Sequence, residues 1–169
     1  MDRRGQMTRS DRQMTDAQAR AFLREHAVAH LGTSDAEGWP YVVPLMYVYE
    51  EGDFLYLHTG AKGGHFLSNV AAGAKICVTV SAPGTMHTGT PSPCNSALVY
   101  ESAIAFGRIR VCNGAGLDQR KTWFFDRLLE RLSDSRANYA SGYTMLMQII
   151  LYEVAIDVLT GKINAGLHH

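Results

Sequence analysis

Apolar and polar positions change their spacing several times along this chain of 169 residues, and each change marks an element. Residues 1–14 hold methionine as their only apolar type, which predicts a mobile arm. Thr15 and Gln18 then have the T-x-x-Q spacing of a capping box, and Ala19, Phe22, Leu23 and His26 follow at the intervals of a helix with one apolar face. Helical signals fade by Ala29. His30–Thr33 reads as a short strand closed by the turn Asp35–Gly38. Pro40–Tyr49 reads as a long strand, and its run of Tyr, Val, Leu and Met predicts burial on both faces. Glu50–Asp53 is the next hairpin turn and Phe54–Thr59 the returning strand.

Gly60–Gly64 is a glycine-rich loop ahead of a short helix, His65–Ala72, with Gly73 placed to end it. Lys75–Ala82 is again a strand, whereas the prolines, glycines and hydroxyl residues of Pro83–Ser96 predict a long loop. Leu98–Val111 returns to β character. Leu117, Phe124, Leu128 and Leu132 mark one stripe of a second helix, with Trp123, Phe125 and Leu129 alongside. Tyr143–Leu159 reads as the last long strand, and Thr160-Gly161-Lys162 closes the fold. About six strands, mostly hairpin-linked, with peripheral helices predict a mainly β protein built as an antiparallel barrel. The reading gives an arm over residues 1–14, one domain over 15–162 and a tail over 163–169.

Composition narrows the function classes. With 46% hydrophobic and 19% charged residues the chain has enough apolar surface for one ordered domain. Sixteen Lys and Arg balance sixteen Asp and Glu, so a nucleic-acid partner is not expected, because such binders carry a basic excess. No apolar run approaches the roughly 20 residues that span a bilayer, and no apolar run follows the charges of MDRRGQMTRSDRQMT. Neither a membrane span nor a secretory signal is expected. Cys77, Cys94 and Cys112 have the spacing of neither a disulfide framework nor a zinc site, so reduced thiols in the cytoplasm are expected. His26, His30, His58, His65 and His87 form no H-x-x-x-H pair, and no metal site is expected.

The segment from Leu57 to His65 carries the most chemistry. A strand runs through glycines into a helix start, where unpaired N–H groups favour an anion and glycines let the backbone approach it. Lys62 adds a mobile cation, Thr59 a hydroxyl and His65 a further donor, a set suited to a phosphate. The P-loop pattern is absent, so nucleotide hydrolysis is not implied. The same glycines would also serve a plain tight turn. His58, ending its strand, suits either a core position or a ligand pocket. Ser102 has no G-x-S-x-G elbow around it.

Taken in order, these pieces resemble the pyridoxamine 5′-phosphate oxidase-like FMN-binding split barrels, and within them the 5-nitroimidazole-resistance (Nim-type) reductase branch. The resemblance rests on Gly38-Trp39-Pro40-Tyr41-Val42-Val43-Pro44-Leu45, on Gly52-x-x-x-Tyr56-x-His58-Thr59-x-x-Lys62-x-x-His65, and on Tyr100-Glu101-Ser102-x-x-x-x-Gly107. Tyr152-Glu153-Val154 and Thr160-Gly161-Lys162 fit the branch as well, so it spans roughly Thr15 to Lys162. It implies a six-stranded antiparallel split barrel, a homodimer, and FMN in the cleft between two subunits. Val43, Pro44, Leu45 and Met46 would line the flavin largely through backbone groups. His58, Thr59, Lys62, Gly63 and His65 would hold its phosphate, with Glu101 and Ser102 on a strand that approaches the cofactor.

Departures from the authentic oxidase matter. Its Arg and Lys fall on Val43 and Val48, its Ser and final Lys in the phosphate run fall on Gly63 and His65, and its R-L-x-x-R signature has no counterpart after Tyr152. Pyridoxamine phosphate is therefore not the expected substrate. The resemblance implies a flavin-dependent oxidoreductase acting on a small electron-poor molecule such as a nitroaromatic, with NAD(P)H as a candidate electron donor. His58 is the candidate catalytic residue, since its ordinary pKa lies near neutrality. A non-catalytic flavin or haem binding protein of the same fold is the competing expectation.

Overall fold

Pleating sends every second residue of the apolar runs to one side, and six such strands close on themselves. They are β1 (Val28–Ser34), β2 (Pro40–Glu50), β3 (Phe54–Gly60), β4 (Ala74–His87), β5 (Ala97–Val111) and β6 (Ile149–Asn164). All pairings are antiparallel, the order is β1-β2-β3-β6-β5-β4, and β1 closes on β4 from His30–Thr79 to Gly32–Cys77. The fold is thus the expected mainly β barrel. The computed structural model describes residues 3–70, 74–132 and 142–165; Gly73 and residues 166–169 of the tail lie outside them.

Inward positions make the core, with Leu31, Leu55, Leu57 and Ile109 at 0–1% exposure. Helix α1 (Asp16–Glu25) opens on the full capping box: the Thr15 N–H donates to Gln18 Oε1 and the Gln18 N–H to Thr15 Oγ1. Its apolar stripe Ala19, Phe22 and Leu23 is buried in this same core. Each large side chain so buried stabilises by about 1.5–3 kcal/mol. Helix α3 (Leu117–Leu132) packs on the outside, where Phe124 and Leu128 join Val48, Cys112 and Leu151 in a second apolar cluster. Short helix α2 (Gly64–Asn69) sets Phe66 against Tyr152 in the main core.

Several expectations are corrected. β2 is buried on both faces only at Tyr47–Tyr49; from Pro40 to Met46 it alternates between half-buried and exposed, because α3 covers the outside at Val48 and not beyond. The first part of the expected loop Pro83–Ser96 is strand, since β4 runs to His87. A register irregularity between Pro83 and Met86 lets a strand accept a residue without an N–H. Residues 143–148 are not strand but a turn and a 3-10 helix over Leu146–Gln148, with the Leu146 carbonyl held by the Lys121 ammonium at 2.8 Å. Their apolar run has no alternation to separate the two forms. β6 accordingly starts later and takes in Thr160-Gly161-Lys162. α2 ends at Asn69 rather than Ala72.

The described part of the N-terminal arm lies along β6. Arg4 pairs with Asp157 at 3.6 Å, Gln13 bridges to Lys162, and the Met14 N–H donates to the Gly161 carbonyl. Among the described residues no helix is long and apolar enough to cross a membrane.

Candidate functional site

β2 and β3 pair only from Glu50–Phe54 to Tyr47–Leu57. Beyond that point β2 stays with β1 from Met46 to Pro40, and β3 stays with β6 from His58 to Gly60. The two strands part there, and the barrel is split. Proline suits such a margin, having no N–H for a missing neighbour, and both Pro40 and Pro44 stand on this stretch of β2. At the far end the His65 ring stacks on Tyr41 of β2, with ring centres 4.4 Å apart. The opening is therefore a window, bounded by the Tyr47–Leu57 pair and the Tyr41–His65 contact.

Residues singled out in the sequence gather on its two sides. Val43 and Leu45 turn towards the core, while Pro44 and Met46 turn outward, as alternation requires. Across the window Thr59 turns inward and its hydroxyl shares a hydrogen bond of 3.0 Å with the Tyr152 hydroxyl. His58 turns outward beneath α3, its ring edge-on to Phe124 at 5.4 Å and Phe125 at 5.1 Å. Burial lowers the pKa of His58 below the usual histidine value, and its Nδ1 is buried without a partner. A bare lone pair there costs less than a bare N–H, which puts the proton of the neutral ring on Nε2. Both openings of the sequence reading apply: His58 is half in an apolar cluster and adjoins the window.

The loop between Gly60 and Gly64 makes its own turn. The Gly63 N–H donates to Gly60 O at 2.9 Å, the Gly64 N–H to Lys62 O at 2.8 Å, and the Ala61 N–H to Gln148 O at 2.7 Å. Gly63 has φ +69°, and a Cβ on it would run into the Leu67 side chain, so only glycine fits. These glycines thus serve the turn, and their N–H groups are already used. At six residues α2 carries little dipole, but no side chain caps it, which leaves the N–H groups of His65 and Phe66 free for solvent or a ligand. Lys62 is exposed and has no hydrogen-bond or ion-pair partner among the described residues. The donor set that remains, an unpaired ammonium, two open N–H groups and the His65 ring, fits a phosphate; the Thr59 hydroxyl is already engaged by Tyr152 and the Gly60 carbonyl.

Glu101 and Ser102 are not brought to the window within one chain. They sit on β5, separated from β3 by β6 and from β2 by β1 and β4, with Ser102 on the outside. Three residues that local spacing did not single out for the site belong to it: Tyr41 against His65, Tyr152 against Thr59, and Phe125 against His58. Each contact joins residues far apart in the chain, so no short motif carries it.

A second polar network lies beside α3, running from the buried Glu153 to the exposed Arg110. The Glu153 carboxylate accepts from Tyr56 at 3.1 Å and from Arg110 at 2.8 Å, and burial followed by the Glu153 charge pushes the Tyr56 phenol up to about 12. The three cysteines are unpaired, and no group of three His, Cys, Asp or Glu among the described residues converges on a metal position.

The family model described as pyridoxamine 5′-phosphate oxidase matches residues 15–163. No curated protein matches the chain. Among solved structures, flavocytochrome Anf3 from Azotobacter vinelandii is similar at TM-score 0.76 and 22% identity, covering 99% of this chain and 78% of that one. The FAD and heme binding protein from Mycobacterium smegmatis follows at 0.72 and 23%, covering 94% and 76%. A Bacteroides thetaiotaomicron protein named for 5-nitroimidazole antibiotic resistance is similar at 0.70 and 23%, covering 89% and 86%. At these identities the three structures establish the fold.

Proposed function

The chain belongs to the pyridoxamine 5′-phosphate oxidase family, and on that premise we propose that it binds FMN at the window between β2 and β3 and reduces a small, flat, electron-poor substrate such as a nitroaromatic. The observation that carries this reading is the Tyr41–His65 contact, which sets the start of α2, beside the unpaired Lys62, at the end of the β2 margin that runs through Pro44 to Met46. Bound flavin would supply the electron transfer; the protein's part is to place and orient it. Val43 to Met46 would border the flavin rings, and Lys62 and His65 would hold the phosphate, with Thr59 fixing the strand end through Tyr152 and Gly63 only shaping the turn. His58, kept neutral by burial, would offer an Nε2–H as a hydrogen-bond donor rather than act as a charged acid.

A homodimer is part of the proposal. Outside β2, β1, β4 and β5, cross-strand register sets Val42, Gly32, Cys77 and Phe106 in one row and Pro44, His30, Thr79 and Ile104 in the next. Val28 and Val42 on this face are 50% and 62% exposed in the single chain, a surface suited to a second copy, which would carry Glu101 and Ser102 towards the window of the first. NAD(P)H is the proposed electron donor and the cytoplasm the proposed compartment, in keeping with unpaired cysteines. Val43 half-packed in the core and Val48 buried under α3 offer no cation for pyridoxamine phosphate.

Two of the similar structures are named for flavin together with haem, which supports a second reading as a flavin or haem binding protein without turnover. The absorption spectrum of protein purified without added cofactor, followed by NAD(P)H oxidation with a nitroaromatic acceptor, tests both. Flavin bands with turnover support the enzyme. A haem band, or flavin without turnover, favours the binder, and a colourless protein that takes up no flavin defeats both.

A further inference from the structure

One charged side chain lies inside the protein without a part in the proposed flavin site. Lys121 of α3 is 6% exposed, and its ammonium has no acidic partner among the described residues. Its one hydrogen bond among them, 2.8 Å long, goes to the Leu146 carbonyl. Burying an ammonium away from a counter-charge costs more than burying a methionine of similar length. General stability therefore does not account for a lysine here, and its role lies in what it holds.

The Leu146 carbonyl opens the 3-10 turn Leu146–Gln148, where it also accepts the Ile149 N–H. This turn is the footing of the glycine loop. Gly60, the last residue of β3, pairs with Ile149, and the Ala61 N–H donates to the Gln148 carbonyl at 2.7 Å. Lys62 follows directly in the chain. None of residues 143–148 lies in a strand, and a single 3-10 turn has poorer hydrogen-bond geometry than an α-helix, so a tie from outside matters.

We propose that Lys121 is a positioning residue for the cofactor phosphate: it pins the Leu146–Gln148 turn, and that turn sets the Gly60–Gly64 loop and the placement of Lys62. The role rests on the flavin reading and deepens it, because part of the preference for a phosphate then comes from a residue that does not touch it. When the ammonium is removed the Leu146 carbonyl keeps the Ile149 N–H, so Lys121→Met orphans no buried group and should fold.

Two readouts test this in Lys121→Met and, as a second apolar variant, Lys121→Leu. Amide hydrogen exchange on the protein as purified should show the Ala61 N–H exchanging about tenfold faster, the scale of one charge-assisted hydrogen bond, with Leu31 and Leu55 in the core unchanged. Fluorescence titration should show FMN weakened by about tenfold and riboflavin unaffected. Combined with Lys62→Ala, Lys121→Met should add little further loss, since both act through the same contact. Unaltered exchange at Ala61 would overturn the tie. Equal weakening of both flavins, or full additivity with Lys62→Ala, would overturn the positioning role. In the unaltered protein, FMN binding no tighter than riboflavin would remove the phosphate reading and this role with it. An FMN preference that survives Lys121→Met intact would overturn the role alone.

Discussion

Replacing Lys62 by alanine removes one cation from the turn ahead of α2 without touching the core, because the side chain is exposed and makes no contact that the fold uses. A charge-assisted hydrogen bond to a phosphate contributes about 1.5–3 kcal/mol when shielded, and solvent screening at an exposed ammonium lowers that to about 1–2 kcal/mol. FMN affinity should therefore fall by about five- to thirtyfold. The N–H groups of His65 and Phe66 remain, so binding should weaken rather than vanish. Riboflavin, with no phosphate, should bind weakly to the unaltered protein and equally weakly to Lys62→Ala. Fluorescence titration of both flavins into both proteins separates a phosphate contact from general damage, and thermal unfolding at matched temperature checks the fold. An unchanged FMN affinity would place the phosphate elsewhere. An equal loss for riboflavin would show that the substitution disturbs the window itself.

Three further outcomes follow from particular contacts. Asp53 takes a bidentate pair from Arg20 at 2.8 Å and a hydrogen bond from the Tyr49 hydroxyl at 2.6 Å, and Arg20 above all holds its pKa below the usual carboxylate range. The depressed value means that this stability is present above the unfolded carboxylate's pKa near 4 and is lost as pH falls through the lower folded value. Asp53→Asn should cost about 2 kcal/mol at pH 7 and flatten the acid limb of a thermal-unfolding series; an unaltered limb would refute the linkage. His58 should titrate below the usual histidine value in a proton NMR series, with its neutral form stabilising the fold above the unfolded value near 6.5 and that contribution waning as pH falls; titration at or above 6.5 would show that α3 does not shield it. Val42→Glu, on the bare outer face, should leave the barrel folded and convert dimers to monomers in light scattering, and a protein that is monomeric before the change would remove the dimer proposal.

Much of the fold could be read from local signals because those signals are themselves short-range. The capping box at Thr15 and Gln18, the alternation around Leu31 and Leu57, and the turn at Glu50–Asp53 each depend on residues within a few positions of one another. The glycine loop was legible for the same reason, although its purpose was not. Spacing alone could not say whether the N–H groups of Gly63 and Gly64 faced a ligand or their own turn, and the bonds to Gly60 and Lys62 decide for the turn.

What the chain order could not reveal is where strands stop pairing. Nothing near Met46 or His58 announces that β2 and β3 part there; the split arises because β2 is held by β1 and β3 by β6, partners set by the closed barrel. The same closure separates Ser102 from the window and brings it under the arm, next to Lys162. Outer apolar positions divide in the same way, with Val48 covered by α3 and Val42 left bare on one strand. By itself the sequence determined the kinds of element, their order and the residue types able to hold an anion, since propensity and alternation act between near neighbours. Only the tertiary structure decided which of those residues meet, because pairing across the barrel is a contest between distant segments for the same backbone edges and the same apolar surface.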